Sequence, residues 1–306
     1  MAQTDPTATG DFSGFLNPDR AASYFTEARK SSSVMQLARQ VPLGINGQEI
    51  VVPTSKAQAS WVSEGAKKPT TESGLGLASF KPKKIAAISV VSAEVVRANP
   101  GNYMEILRAD IAESFAVAFD NAVLHGIGTE FELVGGGTGS LDDTTKTVEL
   151  GNASASDGGA YADVVAGLSE LVTDGRKLTG FAFDRIVEPV FLGSVDTSGR
   201  PLFVDTPLAE TTSVLSPGRL IGRPAYLGDN LMNDAVVGYA GDWSQLVWGT
   251  VGGISFDVST EAAVTLNGSL VSLWEQNLVA IRAEAEFGCF INGVENFVTF
   301  TDTPAS

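Results

Sequence analysis

The sequence predicts a mixed α+β fold, and three features support that class. A polar, turn-rich stretch over residues 59–73 lies between two strand patterns and predicts a long, exposed β-hairpin. Apolar residues recur every fourth position from Tyr103 to Phe119, which predicts a long buried helix. Near the C-terminus, apolar and polar residues alternate from Val279 to Phe287, as in a strand with one solvated face.

The long helix is predicted from about Tyr103 to Leu124, with Ile106, Ala118 and Ala122 in a row beside the main stripe. The polar residues assigned to its other faces are Arg108, Asp110, Glu113 and Asp120. Asn102 and Glu105 are spaced as in a capping box, and Gly126 is typical of a left-handed stop after the helix.

The other elements follow in chain order. Residues 1–18 are predicted to form an extended arm, residues 18–40 contain helical patches, and 49–52 begin the outgoing hairpin strand. Further predicted elements are an irregular segment over 133–159, a helix over 161–173, a strand over 181–187, a short helix over 189–195 and a strand over 255–266. Asn267-Gly268 predicts a tight hairpin turn.

Composition and charge narrow the class of protein. No apolar run approaches the roughly 18–20 residues that span a bilayer, and a single cysteine, Cys289, fits a reducing cytosol and a small buried thiol. Residues 1–108 contain 12 Lys and Arg against 9 Asp and Glu, whereas residues 109–306 contain 8 against 27. The asymmetry favours an interface in which basic arms from the first third of the chain lie on the acidic bodies of neighbouring subunits, and chance clustering of surface charge is the alternative. The strongly acidic body disfavours sequence-specific DNA binding.

Catalytic motifs are scarce. The one histidine, His125, falls at the predicted helix end, where a favourable charge–dipole contact is commoner than a general base. The glycine-rich segment 134–140 lacks the Gly-Lys-Ser/Thr ending of a phosphate loop, and one cysteine with one histidine makes no common zinc site. Asp142 and Asp143 are expected to be solvated. We therefore expect neither an enzyme nor a cofactor.

The order of hairpin and helix resembles the major capsid proteins of tailed bacteriophages, the Hong Kong-type phage major capsid fold. Three later segments also resemble that family in order and spacing: 196–203, 220–225 and 237–243. The resemblance implies a division into an N-terminal arm with short helices (1–40), an extended β-hairpin loop (41–92), a peripheral domain with the spine helix and long strands (93–132 and 254–290) and an inserted axial domain (133–253 and 291–306).

The resemblance also implies a function. The chain would be a major capsid protein that self-assembles, as hexamers and pentamers, into an icosahedral shell. The shell would enclose double-stranded DNA without binding specific sequences. The implied location is the virion, assembled in the host bacterial cytoplasm, with no membrane partner. The resemblance also allows separate scaffolding, portal and decoration proteins as partners. Met1 leads almost at once into the arm and leaves no room for a scaffold region, so scaffolding is expected from a separate protein or not at all. Two alternatives remain: an encapsulin-like compartment shell, against which residues 1–18 argue, and a cytosolic α/β enzyme using carboxylates.

The predicted inter-subunit contacts lie on the hairpin and the strand after it. They are Trp61, Glu64, Lys67, Lys68, Lys81, Lys83 and Lys84. Some members of the family form an isopeptide bond between a loop lysine and a neighbour's asparagine, assisted by a glutamate. Lys68 and Asn277 are the crosslink candidates, but Asn277 is one position off and Ala283 stands in the glutamate's place, beside Glu284. We therefore favour salt bridges for Lys68.

Overall fold

The structure, a computed structural model, describes residues 32–55, 57–98, 103–153, 158–193, 204–205, 216–228 and 230–302. Its helices are α1 Ser33–Leu37, α2 Ala93–Ala98, α3 Tyr103–His125, α4 Ala160–Thr173 and α5 Glu188–Gly193. Its strands are β1 Arg39–Gln40, β2 Gln48–Ser55, β3 Gly74–Phe80, β4 Lys83–Ser92, β5 Phe131–Leu133, β6 Thr138–Gly139, β7 Thr147–Glu149, β8 Gly180–Asp184, β9 Val204–Asp205, β10 Ser216–Leu220, β11 Arg223–Gly228, β12 Val236–Gly241, β13 Leu246–Thr250, β14 Ser255–Ser259, β15 Ala263–Leu266, β16 Ser269–Ser272, β17 Leu278–Ile291 and β18 Phe297–Thr301. Turns of 3-10 helix lie at 141–143, 185–187, 243–245 and 294–296.

The first sheet is built around β17, which is the predicted alternating strand and is longer than predicted. Its first ten residues pair antiparallel with β4 along one edge, while β14 pairs with Ala280–Glu284 on the other. Its C-terminal end pairs with β13 and with β5, and β1 and β6 complete the sheet. Apolar side chains from Ile281 to Phe287 face the core, whereas Arg282 is exposed.

Helix α3 packs against the buried face of this sheet. Ile111, Phe115 and Phe119 of the predicted stripe are buried, and the Phe119 ring lies 5.4 Å from that of Phe287 and 6.1 Å from that of Trp248. Gly126 follows the last turn with φ 69° and donates its amide to the Ala122 carbonyl, as the stop signal predicted.

Three assignments of faces on α3 were wrong. Ile106, predicted to fill an apolar row, is 53% exposed, because the row beside the stripe is covered only along the C-terminal half of the helix. Arg108 and Asp120, predicted to lie on polar faces, are buried. Each has a partner that offsets the cost of burial: Arg108 pairs with Glu105, and Asp120 receives hydrogen bonds from the segment that begins α1.

The second sheet has the order β7-β18-β12-β8-β11-β10-β9. Helix α4, predicted over 161–173, packs on one face of it through Val164 and Leu171. The predicted strand 181–187 ends earlier, at Asp184, because the Asp184 side chain accepts the Ile186 amide and starts a 3-10 turn. The predicted short helix after it is α5, which begins at Glu188.

Two hairpins stand apart from these sheets. Strands β2 and β3 pair antiparallel from Gln48 with Phe80 to Ser55 with Gly74. The predicted single strand 255–266 is in fact two, since β14 pairs with β17 whereas β15 pairs with β16. The β15–β16 turn is the predicted Asn267-Gly268, with φ of 49° and 80° at the two residues.

The hairpin observed is shorter than the segment 41–92 assigned to it, since β4 belongs to the first sheet. Within 133–159, predicted to be irregular, the structure adds the short strands β6 and β7. Asn102, residues 1–31 and the segment 196–203 lie outside the described residues, as does the side chain of Tyr103.

Candidate functional site

The tip of the β2–β3 hairpin carries most of the predicted contact residues. Residues 57–73 are all exposed, including Trp61, Glu64, Lys67 and Lys68, and the Trp61 side chain has no cover at all. Sparse local bonds shape the tip: the Ala66 amide donates to the Ser63 carbonyl across a turn. Nothing within the described chain buries this tip.

Among the described residues, the hairpin is anchored to the rest of the chain at its base. The Phe80 ring is buried and lies 6.4 Å from that of Phe290 at the end of β17, with Leu43 and Val52 in the same cluster. From there the hairpin leaves the first sheet. The hairpin thus combines a buried base with an uncovered tip.

One face of the hairpin is also apolar and exposed, which sequence reasoning missed. Val51 pairs with Leu77 across the two strands, and cross-strand partners lie on the same face of a sheet. Leu75, two residues before Leu77, lies on that face as well. These side chains are 57%, 70% and 76% exposed respectively. The alternating Gly-Leu-Gly-Leu of β3 was the signal that could have identified them.

The lysines after the hairpin do not form one group. Lys81 is exposed. Lys83 donates to the Glu130 carbonyl and lies over the Phe131 ring, 5.3 Å from its centroid. Lys84 forms an ion pair of 2.8 Å with Glu284. The structure therefore gives Lys83 and Lys84 partners within the chain, whereas Lys81 is exposed at the base of the hairpin, apart from the tip.

The two crosslink candidates are both exposed, but the carboxylate next to Ala283 has other partners. Asn277 has φ 53° in the turn before β17. Ala283 is fully buried, and Glu284, which follows it on the opposite face, pairs with Lys84 and Arg282. In the described chain, no glutamate takes the place that the resemblance assigns to one.

His125 lies at the end of α3, as predicted, and also has two specific side-chain partners. Its ring is buried, and Nδ1 lies 2.9 Å from Asp142 Oδ2 and 3.0 Å from the hydroxyl of Tyr239. Tyr239 donates to Asp142 Oδ1 at 2.5 Å, and burial beside Asp142 raises the pKa of its hydroxyl. Asp142, expected to be solvated, instead joins the end of α3 to β12 of the second sheet.

Asp143 is exposed to solvent, as expected, and its carboxylate also makes a local contact. Its carboxylate accepts the Ser140 amide at 2.7 Å and caps the 3-10 turn. Cys289 is buried as predicted, and burial raises the pKa of its thiol. In the described part of the chain, no group of three or more His, Cys, Asp or Glu is placed to hold a metal ion. Among the helices described, none is long and apolar enough to cross a bilayer.

The sequence matches the model of the phage capsid family over residues 13–302. The chain belongs to this family. It is 41% identical over 306 residues to the "Probable major capsid protein gp17" of Mycobacterium phage D29, covering 99% of this chain and 93% of that protein. The protein of the same name in Mycobacterium phage L5 is 43% identical, covering 97% of this chain and 93% of that protein.

Solved structures share the fold at lower identity. A chain from Mycobacterium phage Bobi superposes with a TM-score of 0.70 at 18% identity, covering 90% of this chain and 91% of that one. A chain from Gordonia phage Cozz gives 0.68 at 23% identity, covering 90% and 87%. The predicted capsid fold is thereby confirmed.

Proposed function

We propose that this chain, a major capsid protein of a tailed bacteriophage, closes its shell by laying the β2–β3 hairpin on neighbouring copies. The observation that carries the proposal is the exposure of the hairpin. Its tip and the face with Val51, Leu75 and Leu77 are exposed, although its base is anchored in the core. The uncovered Trp61 at the tip and the exposed Leu75 and Leu77 on the strand behind it resemble the aromatic and aliphatic anchors of protein interfaces.

The partner surface is another copy, and the charge distribution supports this. The tip contains the adjacent pair Lys67 and Lys68 together with Glu64 and Glu72, whereas residues 109–306 carry 27 acidic against 8 basic residues. Opposite charges steer the approach of two surfaces and fix their register more than they add affinity. The acidic body also suits a container that encloses DNA without reading its sequence.

The finer arrangement is part of the same proposal. The first sheet with α3 forms the peripheral domain, and the second sheet with α4 forms the axial domain. Copies assemble as hexamers and pentamers of an icosahedral shell in the host bacterial cytoplasm, with separate scaffolding, portal and decoration proteins as partners. The pairing of β18 with β12 in the second sheet supports joining 291–306 to the axial domain, whereas β6 and β13, which the predicted range 133–253 includes, pair in the first sheet and belong with the peripheral domain.

Lys68 is proposed to form salt bridges with a neighbour. A covalent bond from Lys68 to a neighbour's Asn277 remains the alternative. Particles boiled in detergent would separate the two, because salt bridges leave a single band of monomer whereas isopeptide bonds leave a ladder. A ladder that disappears in the Lys68→Gln variant would establish the crosslink.

Deletion of residues 63–73 tests the role of the hairpin. The deletion removes exposed residues only, so we expect a subunit that unfolds at the same temperature as the full chain but forms no closed shells. Circular dichroism and electron micrographs measure the two properties. Normal shells from the deleted chain would refute the proposal.

A matched pair of point variants adds a control. Leu75 on the β2–β3 hairpin and Leu270 on the β15–β16 hairpin are each 76% exposed, so replacement by serine should leave the subunit folded in both cases. We expect Leu75→Ser to impair shell formation more than Leu270→Ser does. Equal effects would mean that the loss is not specific to the proposed contact.

A further inference from the structure

Helix α4 has an apolar arc that is wider than the surface it covers. Val164 and Leu171 face the second sheet and are buried. One hundred degrees around the helix, Tyr161, Val165 and Val172 recur at spacings of four and seven residues and so form a second stripe. These three side chains are 43%, 37% and 58% exposed. We call them the α4 stripe.

The helix cannot roll to bury this stripe. Gly167 lies directly on the Phe300 ring of β18, and a Cβ built there would lie 2.6 Å from Phe300 Cζ. The packing at that point is therefore too close for any other side chain to take the place of Gly167 on the sheet. The α4 stripe is fixed towards the outside.

A second apolar cluster lies elsewhere on the same sheet, at the C-terminal end of β8. Asp184 holds it together: its Oδ1 accepts the Ile186 amide and its Oδ2 the Met232 amide, both at 3.1 Å. Ile186, Met232 and the nearby Val190 are 55%, 45% and 39% exposed. We call these three residues the β8-end cluster.

We propose that the α4 stripe of one copy packs on the β8-end cluster of the next copy. This inference rests on the proposed assembly into hexamers and pentamers. Copies around a ring meet head to tail, and such a contact joins two unlike surfaces of the chain. The α4 stripe and the β8-end cluster are two such surfaces, both preformed and both on the second sheet.

The charge of the body favours these two surfaces. Residues 109–306 carry 27 acidic against 8 basic side chains, so copies of the second sheet repel one another at most points of approach. The six side chains of the stripe and cluster carry no charge, which lets two copies come together without burying unpaired carboxylates. The occupant is therefore another copy of this chain.

Crosslinking tests the pairing directly. Val165→Cys and Ile186→Cys are introduced into one chain, and assembled particles are treated with a short bis-maleimide. The native thiol does not interfere, because Cys289 is buried. We expect covalent dimers and higher multimers from the double variant and loss of these products in either single variant. Particles of the double variant that yield monomer alone would overturn the inference, as would crosslinking by Val165→Cys alone, which would indicate a two-fold contact of the stripe with itself.

Charge insertion provides a second measurement with a matched control. Val165→Glu with Val172→Glu places two carboxylates on the stripe, whereas Ala166→Glu with Thr173→Glu places them at the same spacing on another exposed side of α4. We expect loss of particles only for the first pair, with both subunits folded. Equal assembly of the two pairs would contradict the inference. Failure of the hairpin proposal would be seen separately, as shells from the chain lacking residues 63–73, in which the crosslink can still be measured.

Discussion

At the scale of single residues, Asp120 connects the start of α1 to the C-terminal part of α3. Its carboxyl group accepts the Ser32 hydroxyl at 2.5 Å and the Ser33 amide at 2.8 Å. Burial raises its pKa from 3.8 to about 7, although these hydrogen bonds and the nearby His125 act in the opposite direction. The folded protein therefore retains a proton on Asp120 that the unfolded chain releases at lower pH.

A pH-dependent stability follows. Between about pH 4 and pH 7 the folded protein binds more protons at Asp120 than the unfolded chain does, so the free energy of unfolding should fall as the pH rises. Asp120→Asn should remove that part of the fall, on the order of a few kcal/mol at about 1.4 kcal/mol per pKa unit. Urea denaturation across this range measures the slope.

The control is Asp110→Asn on the exposed side of the same helix. That variant should keep the slope of the unchanged protein. Parallel profiles for all three proteins would show that Asp120 does not bind its proton more tightly in the folded state.

At the scale of elements, α3 is held by the hydrophobic cluster between its buried side and the first sheet. Phe115 belongs to this cluster and is 2% exposed. Phe115→Ala should lower the free energy of unfolding by about 3–5 kcal/mol, the typical cost of removing a buried ring. Ile106→Ala, on the exposed side, should cost less than about 1 kcal/mol. Similar values for the two variants in thermal or urea unfolding would mean that the buried face is assigned wrongly.

Elements marked by local chemistry could be predicted from the sequence. The stop at Gly126 and the turn at Asn267-Gly268 require left-handed backbone, which glycine and asparagine adopt readily. The alternation along β17 and the four-residue spacing in α3 reflect which side faces the core. Each of these signals involves residues that are close together in the sequence, and the structure confirms the element that each one predicts.

Features that depend on distant parts of the chain could not be predicted. The break between β14 and β15 arises because only β14 meets β17, and nothing in the sequence of 255–266 marks where that pairing ends. Asp120 is buried because Ser32 and Ser33, far away in sequence, supply its partners. In the hairpin, the tip was predicted from its turn residues, whereas the exposed face of Leu75 and Leu77 depends on the register with β2.

At the scale of the whole molecule, the lysine pair at the hairpin tip and the acidic body predict an assembly rate that depends on salt. Lys67 and Lys68 are exposed, so salt screens the attraction between their charges and those of a neighbouring copy. The screening length is about 8 Å at 0.15 M salt and about 3 Å at 1 M. Lys67→Gln with Lys68→Gln should slow assembly at low salt and have little effect at high salt. Light scattering follows the rate. A decrease that is equal at both salt concentrations would rule out electrostatic attraction as the cause.

Lys84→Gln is the control for that series. Lys84 already pairs with Glu284 within the chain, so its loss should change the assembly rate less than loss of the two tip lysines at low salt. An exposed pair of this kind contributes only about 0.2–1 kcal/mol to subunit stability.

Hydrogen exchange across the hairpin, measured in free subunits and in assembled particles, tests the central claim most directly. Residues 57–73 are exposed and have few backbone hydrogen bonds in the subunit, so their amides should exchange fast. If the hairpin lies on a neighbouring copy, the same amides should be protected in particles, while the β15–β16 turn at Asn267-Gly268 provides an internal reference. Fast exchange of residues 57–73 in both states would contradict the account.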